Sequence, residues 1–320
     1  MQNKMIKYFL LVLAVLIVAI IATNYIGNKP KNAKQNPYEY NVEEFKTVPD
    51  SLISHREVRQ VKITVKQHGS LTSFDNTIWF SADNSVKNLS LEGKILADFS
   101  VSEPVRAIAV NSDLVVVAYE KKFAVYSHVG EKAFESDAIT DSTFITSVAF
   151  FNGKIVIADA GKRKVYIYNK NQKEREIEGI SGAKNLHGFV IPSPYFDVAV
   201  SASNELWAAN TGMHSLQHYD ENGNLLDSWE KISNNIDSFC GCCNPAHFAL
   251  MTDGRFVTSE KGLTRIKIYS QKGELESVVA SPDVFVEEGF APEVAVIGDT
   301  VVALDFDKKM IRIFGKSESK

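Results

Sequence analysis

The stretch SVAFFNGKIVIADAGKRKVYIYNKNQ, residues 147–172, decides the fold, because its pattern recurs along the chain. It contains a short apolar run around an Ala, an Asn-Gly turn, a second apolar run, a polar loop and an alternating strand. Runs of Val, Ile, Phe and Tyr between Gly-containing turns are typical of short antiparallel strands. The same order of features returns at 197–224, 247–274 and 293–316, and in shorter or degenerate form at 106–132 and 74–94.

These six units predict an all-β chain folded as a six-bladed β-propeller. Repeats of roughly 40–50 residues indicate a propeller or a solenoid, and closing the ring removes exposed sheet edges. The strand-like segment EVRQVKITV, residues 57–65, has no repeat of its own. We predict that it forms the outer strand of the last blade and so fastens the ring. A β-sandwich or an open meander is the alternative.

The units resemble NHL repeats, which close into six-bladed, TolB-like propellers, and this resemblance extends from Phe74 to Lys316. The segment 240–282, with Cys-Gly-Cys-Cys-Asn-Pro followed by Thr-Ser-Glu-Lys-Gly, is similar to one in membrane-anchored bacterial NHL-repeat proteins. The resemblance implies a bacterial envelope protein and no settled activity.

The N-terminus predicts a membrane anchor. Residues 8–27 are 20 consecutive residues without a formal charge. A helix of that length spans about 30 Å, the thickness of a bilayer's hydrocarbon core. We assign residues 1–27 to a short tail and a transmembrane helix, 28–56 to a polar stalk and 57–320 to the propeller. A cleaved signal peptide or a buried helix is the alternative reading of the apolar segment.

The distribution of charge along the chain indicates on which side of a membrane the propeller lies and which partners it binds. The seven-residue tail before the apolar segment favours a propeller outside the bacterial cytoplasmic membrane, facing the periplasm, although Lys residues flank the segment on both sides. The net charge is −4, and residues 1–34 carry five Lys and no acid, so the rest of the chain is more acidic. This argues against a nucleic-acid partner. We expect the membrane and either an envelope protein or a small ligand as partners.

Aligning the units brings polar residues to one end of the central channel. Asp197, His247 and Glu293 stand at the same place in three successive units, where their side chains could bind a divalent cation or a polar ligand. The alternative is that these polar residues line a water-filled channel and bind no ligand. Loops within the units add Asn210, Glu260 and Arg265 to the predicted ligand-binding rim.

The chain's three cysteines fall together in Phe239–His247 (FCGCCNPAH), on the connection that precedes the unit beginning at His247. That connection and the middle loops of the blades should open on one face. Three interpretations remain open. Two of Cys240, Cys242 and Cys243 form a disulfide; the thiols and His247 hold zinc or copper; or the thiols are redox-active.

The sequence therefore favours a membrane-anchored, extracytoplasmic propeller that acts as a binding or scaffold module, with a ligand or metal site at its cysteine-bearing mouth. It has no Gly-x-Ser-x-Gly nucleophile motif. The alternatives are a metal-dependent propeller enzyme of the lyase or hydrolase type, and a redox or metal-handling envelope protein.

Overall fold

The computed structural model describes residues 2–27, 45–180, 187–233 and 235–317. The chain divides into two compact units, Met1–Val42 and Glu43–Lys320. The first contains helix α1, Gln2–Gly27. Within the described residues, no helix combines the length and the apolar character that crossing a bilayer requires. The transmembrane span expected at 8–27 is therefore not confirmed, and residues 28–44 of the expected stalk lie outside the described part.

The second unit contains 24 described strands, which form six four-stranded antiparallel sheets. Blade 1 consists of β2–β5: Gly69–Phe74, Thr77–Ala82, Ser85–Leu89 and Ile95–Ser100. Blade 2 consists of β6–β9: Ala107–Val110, Leu114–Ala118, Phe123–Ser127 and Lys132–Glu135. Blade 3 consists of β10–β13: Ile145–Phe151, Lys154–Asp159, Lys164–Asn169 and Gln172–Ile177.

The other three blades follow the same order. Blade 4 consists of β14–β17: Val198–Val200, Leu206–Asn210, Ser215–Tyr219 and Leu225–Glu230. Blade 5 consists of β18–β21: His247–Leu250, Phe256–Ser259, Ile266–Tyr269 and Leu275–Ala280. Blade 6 consists of β22–β24 and of β1: Glu293–Ile297, Thr300–Asp305, Met310–Lys316 and His55–Lys62.

The ring closes through inner strands and through β1. The inner strands contact one another in the cyclic order β2, β6, β10, β14, β18, β22 and back to β2. Strand β1 pairs antiparallel with β24, as the sequence predicted for the segment 57–65. The most N-terminal strand therefore completes the most C-terminal blade, and the six-bladed propeller predicted from the repeats is confirmed.

The first unit starts earlier than the repeats suggested. The sequence pattern began at Phe74, whereas the structure makes Gly69–Phe74 the inner strand of blade 1. Its sequence, GSLTSF, lacks the apolar-Ala-apolar run of the other inner strands. An inner strand faces the channel on one side, so polar residues are tolerated there and the apolar signal is lost.

The core consists of six apolar clusters, each between two neighbouring blades. Strand residues alternate between the two faces of a sheet, so each blade supplies one face to either neighbour. The cluster between blades 4 and 5 is the richest in large aromatic rings, and it contains Trp207, Phe239, Phe248, Phe256 and Tyr269. Tight Asn-Gly turns keep the hairpins short: Asn152 and Gly153, between β10 and β11, both have positive φ angles of 51° and 73°.

Candidate ligand-binding site at the mouth of the channel

One position of the inner strand recurs around the ring. Backbone pairing with the second strand of each blade puts one residue per blade at equivalent depth: Ser70, Ala107, Ser147, Asp197, His247 and Glu293. Asp197 directly precedes β14, and its carbonyl accepts from the N–H of Ala209 at 2.9 Å. The sequence alignment placed Asp197, His247 and Glu293 at this position, and it missed the strand that contains Ser70.

Both carboxylates of this set join neighbouring blades. Oδ2 of Asp197 accepts a hydrogen bond from the backbone N–H of Phe248 in the next blade, at 2.9 Å. Glu293 accepts two bonds from blade 1, at 2.7 Å from the N–H of Leu71 and at 3.0 Å from the Ser70 hydroxyl. Both carboxylates therefore satisfy backbone groups that the inner strands would otherwise leave unpaired. Neither is mere lining of a wet channel.

His247 lies between these two acids. Its Nδ1 is 3.7 Å from Oδ2 of Asp197, and its ring meets Tyr195 edge to face at a centroid distance of 5.4 Å. About 19% of the side chain is exposed. Among the described residues, no hydrogen bond engages Nε2, so this nitrogen is available to a ligand.

The environment moves the pKa of two members of this group toward neutral pH. Burial raises the pKa of Glu293 to about 8, and the charge of Asp197 adds to the rise, while His247, Ser70 and Leu71 oppose it. Burial disfavours the charged form of His247, but the Asp197 contact and the charge of Glu293 outweigh it and raise its pKa. With a pKa of about 8, Glu293 can exchange a proton near neutral pH.

A pocket of about 450 Å³ opens above this group, and residues of all six blades line it. Four aromatic side chains form its apolar walls: Phe144, Tyr195, Phe290 and Phe306. Its polar lining includes His68, Arg106, Lys261, Asp307, His247 and Glu293. A concave, largely apolar site with a few converging polar groups is what small-molecule binding requires.

The two cationic side chains at the rim of the pocket, Arg106 and Lys261, differ in whether an acidic partner already binds them. Arg106 pairs with Glu120 at 3.0 Å, and its guanidinium lies over the Phe144 ring at 4.5 Å. The ammonium of Lys261 lies 5.5 Å from the centroid of Tyr195, and within the described part of the chain it has no ion-pair partner. Lys261 is therefore the cation that can receive a ligand's charge.

The cysteine loop lies beside this mouth, as the sequence predicted. The Asn244 amide donates to the carbonyl oxygens of Cys240 and Lys261, at 2.6 and 3.0 Å, and accepts from the N–H of Lys261 at 2.7 Å. This amide ties the loop between β17 and β18 to the loop between β19 and β20, so both open on one face.

The three thiols do not form one group. Sγ of Cys242 and Sγ of Cys243 are 3.0 Å apart, and all three cysteines are free. Cys240 instead lies 3.8 Å from the Glu260 carboxylate and 3.7 Å from Arg265. Among the described residues, no three His, Cys, Asp or Glu side chains are placed to hold one metal ion. The zinc or copper site proposed from Cys240, Cys242, Cys243 and His247 is therefore not assembled.

Three of the six residues predicted to bind a ligand are instead enclosed within the protein. Oδ1 of Asn210 accepts from the N–H of Val190 at 2.8 Å, and its amide donates to the carbonyl of Gly188 at 3.0 Å. It holds the loop that precedes its own blade. With no exposed surface, this side chain cannot reach a ligand in this structure.

Glu260 and Arg265 belong to a buried ion cluster with Lys267. Glu260 contacts Arg265 at 2.9 Å and Lys267 at 2.6 Å, and all three side chains are fully buried. Burial lowers the pKa of Lys267 to about 8, against the opposing charge of Glu260. Burial pushes the pKa of Glu260 upward, but the two cations outweigh it and lower that pKa. The cluster bonds within blade 5 and to the connection that precedes it, and its three residues are not among those that line the pocket.

The position of Asn210 and Glu260 in their blades explains why both were wrongly predicted to bind a ligand. Each ends or directly follows the second strand of its blade, where other blades carry Asp159 and Asp305. Asp159 accepts from the N–H of Phe144, at 2.9 Å. A polar residue recurs here because a loop needs an acceptor, which residue type alone does not distinguish from a ligand site.

The sequence analysis did not predict the aromatic side chains that line the pocket. Tyr195 and Phe144 lie just before the inner strands of blades 4 and 3, and Phe290 lies before that of blade 6. An aromatic residue one to three positions before an inner strand is a signal that the repeat alignment contained.

No protein-family model matches the chain, and no curated protein matches it. Solved structures do. The chain is a six-bladed β-propeller. It is similar to a streptogramin B lyase, with a TM-score of 0.54 and 12% identity over 81% of this chain and 98% of that one. A catalytically inactive virginiamycin B lyase from Staphylococcus aureus with quinupristin gives a TM-score of 0.54 and 16% identity, over 79% and 83%.

A structure of Raptor from Chaetomium thermophilum is also similar, with a TM-score of 0.52 and 8% identity, over 84% of this chain and 29% of that one. At these identities the three likenesses show the propeller fold alone. The NHL-repeat identity and the Cys-Gly-Cys-Cys-Asn-Pro family resemblance are not shown by any of them.

Proposed function

We propose that this chain is a binding propeller whose small-molecule ligand occupies the mouth pocket. The observation that carries the proposal is the pocket itself: about 450 Å³ of space with four aromatic walls above the His247, Asp197 and Glu293 group. The repeats on which it is built remain, in our interpretation, NHL-like.

The lining favours an amphipathic, anionic ligand. The aromatic side chains offer flat apolar surface to a ring or an acyl body. Lys261 offers a charge to an acidic group, since it has no ion-pair partner among the described residues. Nε2 of His247 offers a hydrogen bond at the floor. The ligand's apolar part should therefore lie against Phe290 and Tyr195, with its acidic group toward Lys261.

The anionic aromatic dye 8-anilinonaphthalene-1-sulfonate tests this on the purified propeller. We expect saturable fluorescence with one dye per chain, and weaker binding after Lys261→Ala or Phe290→Ala. Each change removes about 0.5–1.5 kcal/mol, which is roughly 2- to 10-fold in Kd.

Matched controls use exposed residues outside the pocket. Lys272 lies in the turn between β20 and β21, and Leu226 is 57% exposed on β17. Lys272→Ala and Leu226→Ala should leave the affinity unchanged. Equal affinity in all five proteins, or fluorescence that never saturates, would remove the pocket as the binding site.

A second candidate is acid–base catalysis in the same pocket. The observation that favours it is that both His247 and Glu293 have a pKa raised toward or beyond neutral, which suits proton transfer near pH 7. Quinupristin, present in one of the similar lyase structures, is a first compound to test. Mass spectrometry of quinupristin after incubation, with His247→Ala as the control, decides: unchanged quinupristin with both proteins speaks against this activity.

We further propose that residues 8–27 anchor the propeller to a bacterial cytoplasmic membrane, with the propeller outside. The support is the run of 20 uncharged residues. Protease added to spheroplasts should digest the propeller while a cytoplasmic control survives. Protection of the propeller would reverse the orientation, and recovery of the full chain in the soluble fraction would remove the anchor.

A further inference from the structure

The adjacent thiols of Cys242 and Cys243 are a pair with its own geometry. Their sulfur atoms are 3.0 Å apart. Cys242 is exposed, whereas only 3% of Cys243 is exposed. Cys240 does not belong to this pair, because its sulfur contacts Glu260 and Arg265. An accessible thiol with a protected thiol at its side is the arrangement of an attacking and a resolving cysteine.

The loop is built to hold this pair in place. Gly241 takes a φ of 76°, a left-handed conformation that glycine adopts at little cost, and so turns the chain just before the two thiols. Directly after them, the Asn244 amide fixes the loop to the backbone of Cys240 and Lys261. The two sulfurs are thus brought together by a constrained loop and not by a flexible one.

We propose that Cys242 and Cys243 are a redox modification site, whose substrate is a disulfide-bearing oxidant such as a small disulfide or a thiol–disulfide oxidoreductase. The Cys242 thiolate attacks the oxidant's disulfide and forms a mixed disulfide, and one oxidant sulfur leaves as a thiol. The Cys243 thiolate then attacks Cys242 and releases the second thiol. Two thiols lose two protons and two electrons, and the oxidant's disulfide takes up both.

Oxidation reaches the ligand pocket through Cys243. Burial raises the pKa of its thiol, while the nearby Ser193 hydroxyl and the Lys261 charge lower it. Lys261 and the neighbouring Tyr195 both line the pocket. Closing the bond draws the sulfurs from 3.0 Å to about 2.05 Å, and we expect the loop to shift against this wall. The redox state should therefore change ligand affinity, a consequence that rests on the proposed function.

The modification is tested by intact mass after the reduced propeller is treated with oxidised glutathione. The wild-type protein and Cys240→Ser should each lose two hydrogens and carry no adduct. Cys243→Ser should instead retain a glutathione adduct on Cys242, because no resolving thiol remains. Loss of two hydrogens in Cys242→Ser or Cys243→Ser would show pairing with Cys240 and overturn the proposal, as would stable adducts on the wild type.

A second measurement needs no variant. After oxidation, unreacted thiols of the wild type are alkylated in denaturant and mapped by peptide mass spectrometry. Label on Cys240 alone supports the proposal, whereas label on Cys242 or Cys243 contradicts it.

Titrating 8-anilinonaphthalene-1-sulfonate into reduced and oxidised protein tests the coupling separately. We expect at least a 2-fold change in Kd for the wild type and none for Cys242→Ser, which lacks the accessible thiol and so forms neither the disulfide nor an adduct. Disulfide formation without dye binding would leave the modification site standing and reject the proposed ligand pocket. Unchanged dye affinity in the oxidised wild type would reject only the coupling.

Discussion

At the scale of single residues, Glu260 shows how the propeller keeps charge in its interior. Its carboxylate forms ion pairs with both Arg265 and Lys267, which are equally buried. The ammonium of Lys267 also donates to the carbonyl oxygens of Ile236 and Ser238, at 3.0 and 2.8 Å. The cluster thereby holds the connection between blades 4 and 5 against blade 5.

Glu260→Ala should lower the free energy of unfolding by about 3–5 kcal/mol, because it leaves two buried cations without their counter-charge. Urea unfolding measures this. Glu276→Ala is the matched control, since Glu276 pairs with Arg255 at 3.4 Å on the surface of the same blade. Exposed pairs contribute about 0–1 kcal/mol. A similar loss in both variants would mean that the buried cluster does not stabilise blade 5.

At the scale of elements, β1 makes blade 6 a complete sheet. It covers β24 along its whole length, from the pair His55–Lys316 to the pair Lys62–Met310. It also brings Glu57 to the buried Arg312, with contacts of 2.7 and 2.8 Å. The closing strand thus adds both backbone pairing and a counter-charge.

Deleting residues 1–66 should therefore destabilise the propeller, whereas deleting residues 1–34 should not. The longer deletion exposes the edge of β24, a template for aggregation, and removes Glu57, one of the two acidic partners of Arg312 among the described residues. Urea unfolding and size-exclusion chromatography compare the two. We expect a loss of several kcal/mol and soluble aggregates only for the longer deletion. Equal stability would contradict the role of β1 in closing the ring.

At the scale of the whole molecule, Glu293 links blade 6 to blade 1 and His247 contacts blade 4, so the protonation of these two residues bears on the stability of the ring. The pKa of Glu293 is raised to about 8, above its usual value of 4.5, and the pKa of His247 is also raised. Between pH 4.5 and about 8, the Glu293 side chain therefore binds more protons in the folded protein than in the unfolded chain. The associated stability is present at low pH and is lost as pH rises.

The stability advantage of the wild type over Glu293→Gln should accordingly fall as pH rises from about 5 to about 8. Gln keeps the shape of the side chain and an acceptor for Leu71, but it does not titrate. Groups whose pKa values are lowered, such as His55, His68 and His214, act in the opposite direction. They act equally in both proteins, so the difference reports Glu293 together with its effect on the pKa of His247. Thermal unfolding across that range is the measurement, and a pH-independent difference would contradict the raised pKa.

Much of the ring could be predicted from the sequence alone. Six recurrences of one strand pattern predicted the number of blades, and the unpaired segment 57–65 predicted the closing strand. Register along the repeats placed Asp197, His247 and Glu293 at one depth. These inferences hold because apolar periodicity and turn residues act locally, and because a repeated local signal must recur in space. The degenerate blade 1 shows the limit, since a polar inner strand loses that signal.

Only the tertiary structure decided which polar side chains remain free. Asn210, Glu260 and Arg265 carry the same residue types as a ligand site, yet they bond within the protein and have no exposed surface. Likewise, three cysteines within four positions separate into a Cys242–Cys243 pair and a lone Cys240 beside Glu260. Burial and partnership depend on contacts between distant blades. The physical reason is that a carboxylate or a thiol is chemically the same in sequence, and its neighbours determine whether it holds a loop, exchanges a proton or meets a ligand.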